Sequence, residues 1–339
     1  GMILYLAIAG SCAEQKANSN NLNLYNLASV KAIHETSSSD GVGINFDAGA
    51  ANSGWMTGLQ VVGTDMYVSN RGNGNAHDSG EVFISKIAIS STGNGAVVRQ
   101  NATGLSINSQ DGFGLNDDAT KIIIADFHGN AIRSGTMSDN GSNLVITLNG
   151  SALAAGGGVR FARWNNDGSK YYFGYGLGNG SSKIKQYTAG TNYIVASGDS
   201  AGTSQDLAIE AASDLVFNSD GTKMYLSRHT GYVYEYSLST PYEIHTETLV
   251  TTMDIRAFFD NRSNGSVSPW RPANSNSQTP WLAGLSWNDD GSKLYVITLW
   301  GTTLQAKVGG GNATPPQVIG EGSGPPRTNT MPIIEFRVQ

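Results

Sequence analysis

Apolar and polar residues alternate along this chain in short runs that end in Gly, Asn or Asp. Four segments repeat one pattern closely: Gly114–Ile124 (GLNDDATKIII), Arg163–Phe173 (RWNNDGSKYYF), Val216–Leu226 (VFNSDGTKMYL) and Ser286–Ile297 (SWNDDGSKLYVI). Each reads as an apolar strand, an Asp-Gly-type turn, a Lys and a second alternating strand. Leu59–Val68 (LQVVGTDMYV) is a looser fifth copy. A Gly follows each turn Lys by eight residues (Lys121 to Gly129, Lys170 to Gly178, Lys223 to Gly231, Lys293 to Gly301). A third strand comes next, as in Lys183–Thr188, Tyr232–Leu238 and Thr302–Val308, and then a looser outer strand. No stretch of 10 or more residues carries the helical period.

The turns fall at 65, 121, 170, 223 and 293, so their spacings are 56, 49, 53 and 70. A four-stranded antiparallel unit at this period is a propeller blade. The sequence therefore predicts an all-β fold: a single β-propeller domain over 1–339 with about six four-stranded blades. A seventh blade has no turn that can be identified. Read circularly, Ile333–Val338 (IIEFRV) followed by Met2–Ala9 (MILYLAIA) looks like one more strand–turn–strand. Leu22–Leu27 (LNLYNL) would then be its third strand. On this reading strands from both ends close the ring. The same apolar first strand could instead pair with a neighbouring molecule, giving a homo-oligomer or fibre by terminal strand exchange.

Two long loops stand outside the repeat: Asp40–Trp55, and the insertion 260–281, which accounts for the longest spacing. The Gly/Pro-rich stretch 309–332 reads as a connector to the closing strand.

The unit Val216–Ile244 (VFNSDGTKMYLSRHTGYVYEYSLSTPYEI) resembles a propeller repeat of bacterial and phage surface or tail-associated proteins. More loosely, its D-G-x-x-L/M-Y-V hairpins are similar to those of YVTN and lactonase-like propellers. The resemblance covers most of residues 55 to 308. It implies the fold and an extracellular setting, and it carries over no catalytic site. The departures DDAT (117–120) and GTD (63–65) mark divergent repeats.

Composition sharpens this picture. Charged residues are only 14% and Gly numbers 43, which suits tight turns. The net charge is −6, with no basic stripe for nucleic acid and no apolar run long enough for a transmembrane segment. One cysteine, Cys12, excludes an intrachain disulfide. Met2–Cys12 has two readings, a lipoprotein signal stub or a strand; the missing basic n-region favours the strand. Sequons at Asn101, Asn140, Asn149, Asn179, Asn261, Asn264 and Asn312 fit a glycoprotein on an extracellular, cell or virion surface.

No nucleophile elbow and no close His pair is present, so the expectation is a non-enzymatic protein without cofactor. The Asp-Gly turns lack a calcium ligand set, which leaves Ca²⁺ the weaker reading beside plain hairpins. The Gly turns between second and third strands open on one face. Arg71, Asp126, His128, Tyr175, Arg228, His229 and Trp300 belong there, with Trp270, Arg271 and Trp281 from the long insertion. Exposed aromatic residues beside polar groups suit a glycan or a cell-surface receptor. The expected function is adhesion, receptor binding or assembly of a surface appendage. The alternative is a propeller hydrolase or lactonase with a channel metal.

Overall fold

The computed structural model describes residues 24–32, 43–45, 56–71, 82–89, 95–100, 105, 107, 110–175, 183–201, 207–208, 212–255, 282–298 and 330–338. A 3-10 turn at Leu27–Ser29 leads into β1 (Val30–Ala32), and β2 (Gly43–Asn45) follows. Blade 1 is β3 (Met56–Val62), β4 (Asp65–Arg71), β5 (Val82–Ile89) and β6 (Gly95–Gln100). Blade 2 is β7 (Gln110–Leu115), β8 (Lys121–Asp126), β9 (Ala131–Asp139) and β10 (Leu144–Ala154). Blade 3 is β11 (Val159–Trp164), β12 (Lys170–Tyr175) and β13 (Lys183–Thr188), edged by the short β14 (Ser200–Ala201) and β15 (Leu207–Ala208). Blade 4 is β16 (Ala212–Phe217), β17 (Lys223–Arg228), β18 (Tyr232–Leu238) and β19 (Glu247–Asp254). Blade 5 is β20 (Leu282–Trp287), β21 (Lys293–Thr298), β22 (Thr330–Val338) and, outermost, β1.

The chain is thus an all-β propeller with five blades among the described residues, against the six expected. The surplus blade came from Ile333–Val338. This segment does not open a new blade; it lies in β22 and pairs with β21 (Lys293↔Arg337, Leu294↔Phe336, Tyr295↔Glu335). It fills the third-strand place that the sequence reading gave to Thr302–Val308, which lies outside the described residues, as do 260–281, Met2–Cys12 and residues 309–329 of the expected connector 309–332, whose last three residues open β22. The described part of Leu22–Leu27 is not a third strand either: Leu24 and Tyr25 lie in a turn and Leu27 opens the 3-10 turn. Within the expected loop Asp40–Trp55, Gly43–Asn45 is a short strand against β22 and β6.

The innermost strand of each blade packs on the next: β3 on β7, β7 on β11, β11 on β16, β16 on β20 and β20 on β3. Close approach at the axis is achieved by omitting side chains. A methyl on Gly112 would stand 2.9 Å from the Arg160 carbonyl oxygen, and one on Gly114 2.9 Å from that of Ala162. Larger apolar residues fill the wedges between blades. Tyr67, Ile84, Phe113 and Ile122 lie between blades 1 and 2, and Ile123, Val159, Tyr171 and Val195 between 2 and 3. Phe161, Tyr172, Leu215 and Ile244 fill the next wedge, and Leu27, Tyr225, Leu285 and Phe336 the one between 4 and 5.

The Asp-Gly turns differ from the expected tight hairpin. Asn165 and Lys170 close the loop, since the Asn165 amide donates to the Lys170 carbonyl and Asn165 Oδ1 accepts from the Lys170 amide at 2.9 Å. Asn218 and Asn288 do the same. Only the Gly is left-handed (Gly168 φ 70°, Gly221 φ 71°, Gly291 φ 70°), so a four-residue turn with one αL residue replaces a two-residue one. Asp167, Asp220 and Asp290 cap the following amide of Ser169, Thr222 and Ser292 at 2.9 Å each.

Over each of these three glycines lies a tyrosine that is itself left-handed: Tyr193 (φ 61°), Tyr242 (φ 62°) and Tyr25 (φ 54°). Each tyrosine amide donates to the glycine carbonyl. Each hydroxyl donates to a turn carbonyl: Tyr193 to Asn166 at 2.7 Å, Tyr242 to Ser219 at 3.0 Å, Tyr25 to Asp289 at 2.5 Å. Two residues on, a buried apolar side chain enters the wedge to the preceding blade: Val195, Ile244 and Leu27. Its amide donates to a third-strand side chain there: Ser134 at 2.9 Å, Gln186 at 3.1 Å and Glu235 at 2.8 Å. This Tyr-x-apolar latch is the true counterpart of LNLYNL.

Candidate binding site

The second strands end on one face, and that end carries the expected site residues in register: Arg71, Asp126, Tyr175 and Arg228 each close their strand. Asp126 is fully buried. Its carboxylate accepts from the Gly129 amide at 3.0 Å and from Arg133 Nε at 3.0 Å, so it shapes its own turn. A methyl on Gly129 would stand 2.3 Å from Asp126 Oδ2, and in blade 4 the Gly at this place, Gly231, is left-handed at φ 94°. His128 stands edge-on to Phe127 at 4.7 Å. Tyr175 lies under Lys185 Nζ at 4.7 Å. Arg228 Nη1 donates to the Tyr234 hydroxyl at 3.0 Å. Burial, and then the nearby Arg160, lower the His229 pKa to about 3, so its ring is neutral near neutral pH. Trp270, Arg271, Trp281 and Trp300 lie outside the described residues. Of the sequons, Asn140 is exposed in the β9–β10 turn, its Oδ1 accepting from the Ser142 and Asn143 amides. Asn149 donates its amide to Ser134 Oγ at 3.0 Å. Asn101, Asn179, Asn261, Asn264 and Asn312 lie outside the described residues.

The axis holds a buried ion pair that the sequence reading missed. Arg163 Nε donates to Asp214 Oδ1 at 2.9 Å and Nη2 to Oδ2 at 2.5 Å, with side-chain exposures of 5% and 2%. Arg163 also donates to Gln60 Oε1 and to the Leu59 carbonyl, each at 2.8 Å. Gln60 exchanges two bonds with the Leu115 backbone, at 2.7 and 2.9 Å. Asp214 accepts from the Leu215 and Leu285 amides at 2.8 and 3.0 Å. One charged pair thus ties all five blades. Burial pushes the Asp214 carboxyl up, while Arg163 and the two amides pull it down. A signal was present in the sequence: the ladder places Gln60, Gly114, Val216 and Ser286 at the repeat position of Arg163, and that Arg is the one charge among them.

Next to this pair, towards the Asp-Gly turns, opens a cavity of about 470 Å³. One repeat position from each blade forms its collar: Val61, Leu115, Trp164, Phe217 and Trp287. Exposed Asp117, Asn166, Ser219 and Asp289 form the rim. Trp164 stands edge-on to Tyr193 at 5.5 Å, Phe217 to Tyr242 at 5.2 Å and Trp287 to Tyr25 at 5.6 Å. The Nε1–H groups of Trp164 and Trp287 are buried with no acceptor. The cavity lies on the face opposite to the expected one. Among the described residues no three His, Cys, Asp or Glu gather as a metal site, and no helix is long and apolar enough to cross a membrane.

No protein-family model matches the chain, and no curated protein does. Several solved structures are similar in fold. A protein from Lactobacillus plantarum shares 13% identity at a TM-score of 0.41, over 71% of this chain and 63% of that one. A Bacteroides fragilis protein, provisionally assigned as a 6-phosphogluconolactonase, shares 16% at 0.38, also over 71% and 63%. The β-propeller domain of Cps50 (Swd1) from Myceliophteria thermophila shares 9% at 0.38, over 78% and 70%. The chain therefore spans less than two thirds of the length of the first two. Similarity at this level transfers no activity or ligand.

Proposed function

We propose that this chain is a non-enzymatic binding propeller outside the cell, an adhesion or receptor-recognition module that takes a sugar ring in the cavity at its axis. In this reading β1 and β22 close a five-bladed ring, and the ring's purpose is to hold the collar. The observation that carries the reading is the collar itself, with two aromatic indoles and a phenyl ring beneath a rim of amide, hydroxyl and carboxylate groups. Apolar faces of a pyranose suit aromatic walls, and its hydroxyls suit the exposed rim of Asp117, Asn166, Ser219 and Asp289. The exposed Asn140 sequon and the low charge support an extracellular place. The hydrolase alternative asks for carboxylates free to hold a channel metal; the axial carboxylate, Asp214, is instead engaged by the Arg163 guanidinium.

The test is a glycan array with wild type, Asp117→Ala/Asn166→Ala and Trp270→Ala/Trp281→Ala. The rim variant is expected to lose at least about tenfold in affinity, the share of one or two hydrogen bonds. Loss only in the tryptophan variant moves the site to the opposite face. If wild type binds no glycan, the sugar reading fails.

A further inference from the structure

Three latches hold the wedges of this propeller, but they reach their grooves differently. Tyr242 and Tyr193 follow the third strand of their own blades, after Leu238 and Thr188. The latch of blade 5 comes from the other end of the sequence. Tyr25 donates its amide to the Gly291 carbonyl at 2.9 Å and its hydroxyl to that of Asp289. Its own carbonyl accepts from Lys223 Nζ at 3.0 Å and from the Tyr225 hydroxyl. The Leu27 amide meets Glu235, a carboxylate 1% exposed and held on its other oxygen by Lys223 at 2.9 Å. Val30–Ala32 then lies antiparallel to Phe336–Val338. These partners belong to blades 4 and 5, and they stand 198 to 266 residues away for Tyr25 and Leu27. None of these bonds depends on the latch and the groove being in one chain.

We propose that the groove between blades 4 and 5 is a docking site for the Tyr25–Ala32 segment of a second copy of this chain. The incoming segment replaces the resident one bond for bond, so the exchange conserves every contact and is governed by concentration. Reciprocal exchange gives a closed dimer, and one-way exchange an open chain. The donor differs from the first strand expected from the sequence; it is the Tyr-x-Leu latch with its short strand. The inference is independent of the sugar reading.

Two full-length variants test it by sedimentation velocity. Tyr25→Ala/Leu27→Asp disables the latch and leaves the groove. Gly291→Val fills the groove, since a Cβ there stands 2.2 Å from the Tyr25 ring, and leaves the latch. Each alone is expected to sediment as a 35.7 kDa monomer and the mixture as a 1:1 heterodimer. A mixture that stays monomeric overturns the proposal. If either variant fails to fold, a labelled peptide of residues 24–32 is titrated into wild type. Saturable binding, weakened about tenfold by Tyr25→Ala in the peptide, supports docking in trans. Binding that does not saturate, or ignores that substitution, overturns it.

Discussion

Blades 3, 4 and 5 are built differently from blades 1 and 2. In the first group a left-handed turn Gly, a tyrosine over it and an aromatic collar residue occur together: Gly168, Tyr193 and Trp164; Gly221, Tyr242 and Phe217; Gly291, Tyr25 and Trp287. Blade 2 has Ala119 in the Gly place, Leu115 in the collar and no tyrosine latch; the β9–β10 turn instead brings Leu144 into the wedge. The reason is steric. A methyl on Gly221 would stand 2.3 Å from the Tyr242 ring, so a blade carries either the latch or the Cβ. Blade 1 has a shorter turn, with Gly63 (φ 60°) donating its amide to Asp289 Oδ2 of blade 5 at 3.0 Å. At the axis the plain blades are tied to the latched ones by Arg163, through Leu59 and Gln60, and by the Val61 amide, which donates to Ser286 Oγ at 2.9 Å.

The strongest way to break this division is to remove that tie. Arg163→Met leaves Asp214 buried without its cation and is expected to cost about 3–5 kcal/mol in urea unfolding, the usual penalty for half of a buried pair. A loss below about 1 kcal/mol would show that the latches suffice. The comparison is sharpened by swapping turn residues. Gly221→Ala adds left-handed strain and a clash with Tyr242, and should destabilise by about 1–3 kcal/mol. Ala119→Gly, at the same repeat position, should stabilise by up to about 1 kcal/mol, because it removes a left-handed Cβ that touches no latch. Equal signs at the two sites would refute the distinction.

The smallest effect is common to both kinds of blade. Asp118, Asp167, Asp220 and Asp290 have carboxyls held below the usual range, first by the hydroxyl of the residue two on and then by its amide. A folded pKa below the unfolded one gives stability that is present above about pH 4 and lost as pH falls through the folded value. Asp220→Asn should therefore flatten the decline in melting temperature as pH falls below about 4, and Asp118→Asn should do the same in the blade without a latch.

Much of the fold was legible because its signals are local. The Asn-x-Asp-Gly turns and their flanking strands fall where the repeats place them, and Lys183–Thr188 and Tyr232–Leu238 are third strands as read. The blade count failed because a terminal strand carries no label for the blade it joins; IIEFRV fits any third-strand slot until Leu294 and Phe336 are seen to pair. LNLYNL was misplaced for a related reason. Its Tyr25 and Leu27 match Tyr242 and Ile244, but its apolar alternation is equally that of a strand. The collar was hidden because Trp164 and Trp287 look like core residues, which by burial they are. Arg163 and Asp214 form their pair across 51 residues and two blades, a relation that no local pattern records.

The bonds of Arg163 also have a kinetic meaning. They join residues 51, 103 and 104 positions apart, so they cannot form until blades 1, 3 and 4 have already come together. Their loss is expected to show in unfolding: Arg163→Met should unfold faster in urea-jump kinetics while its refolding rate changes little. On that outcome the guanidinium at the axis governs how long the assembled blades last; an equal slowing of refolding would place it in the folding nucleus instead.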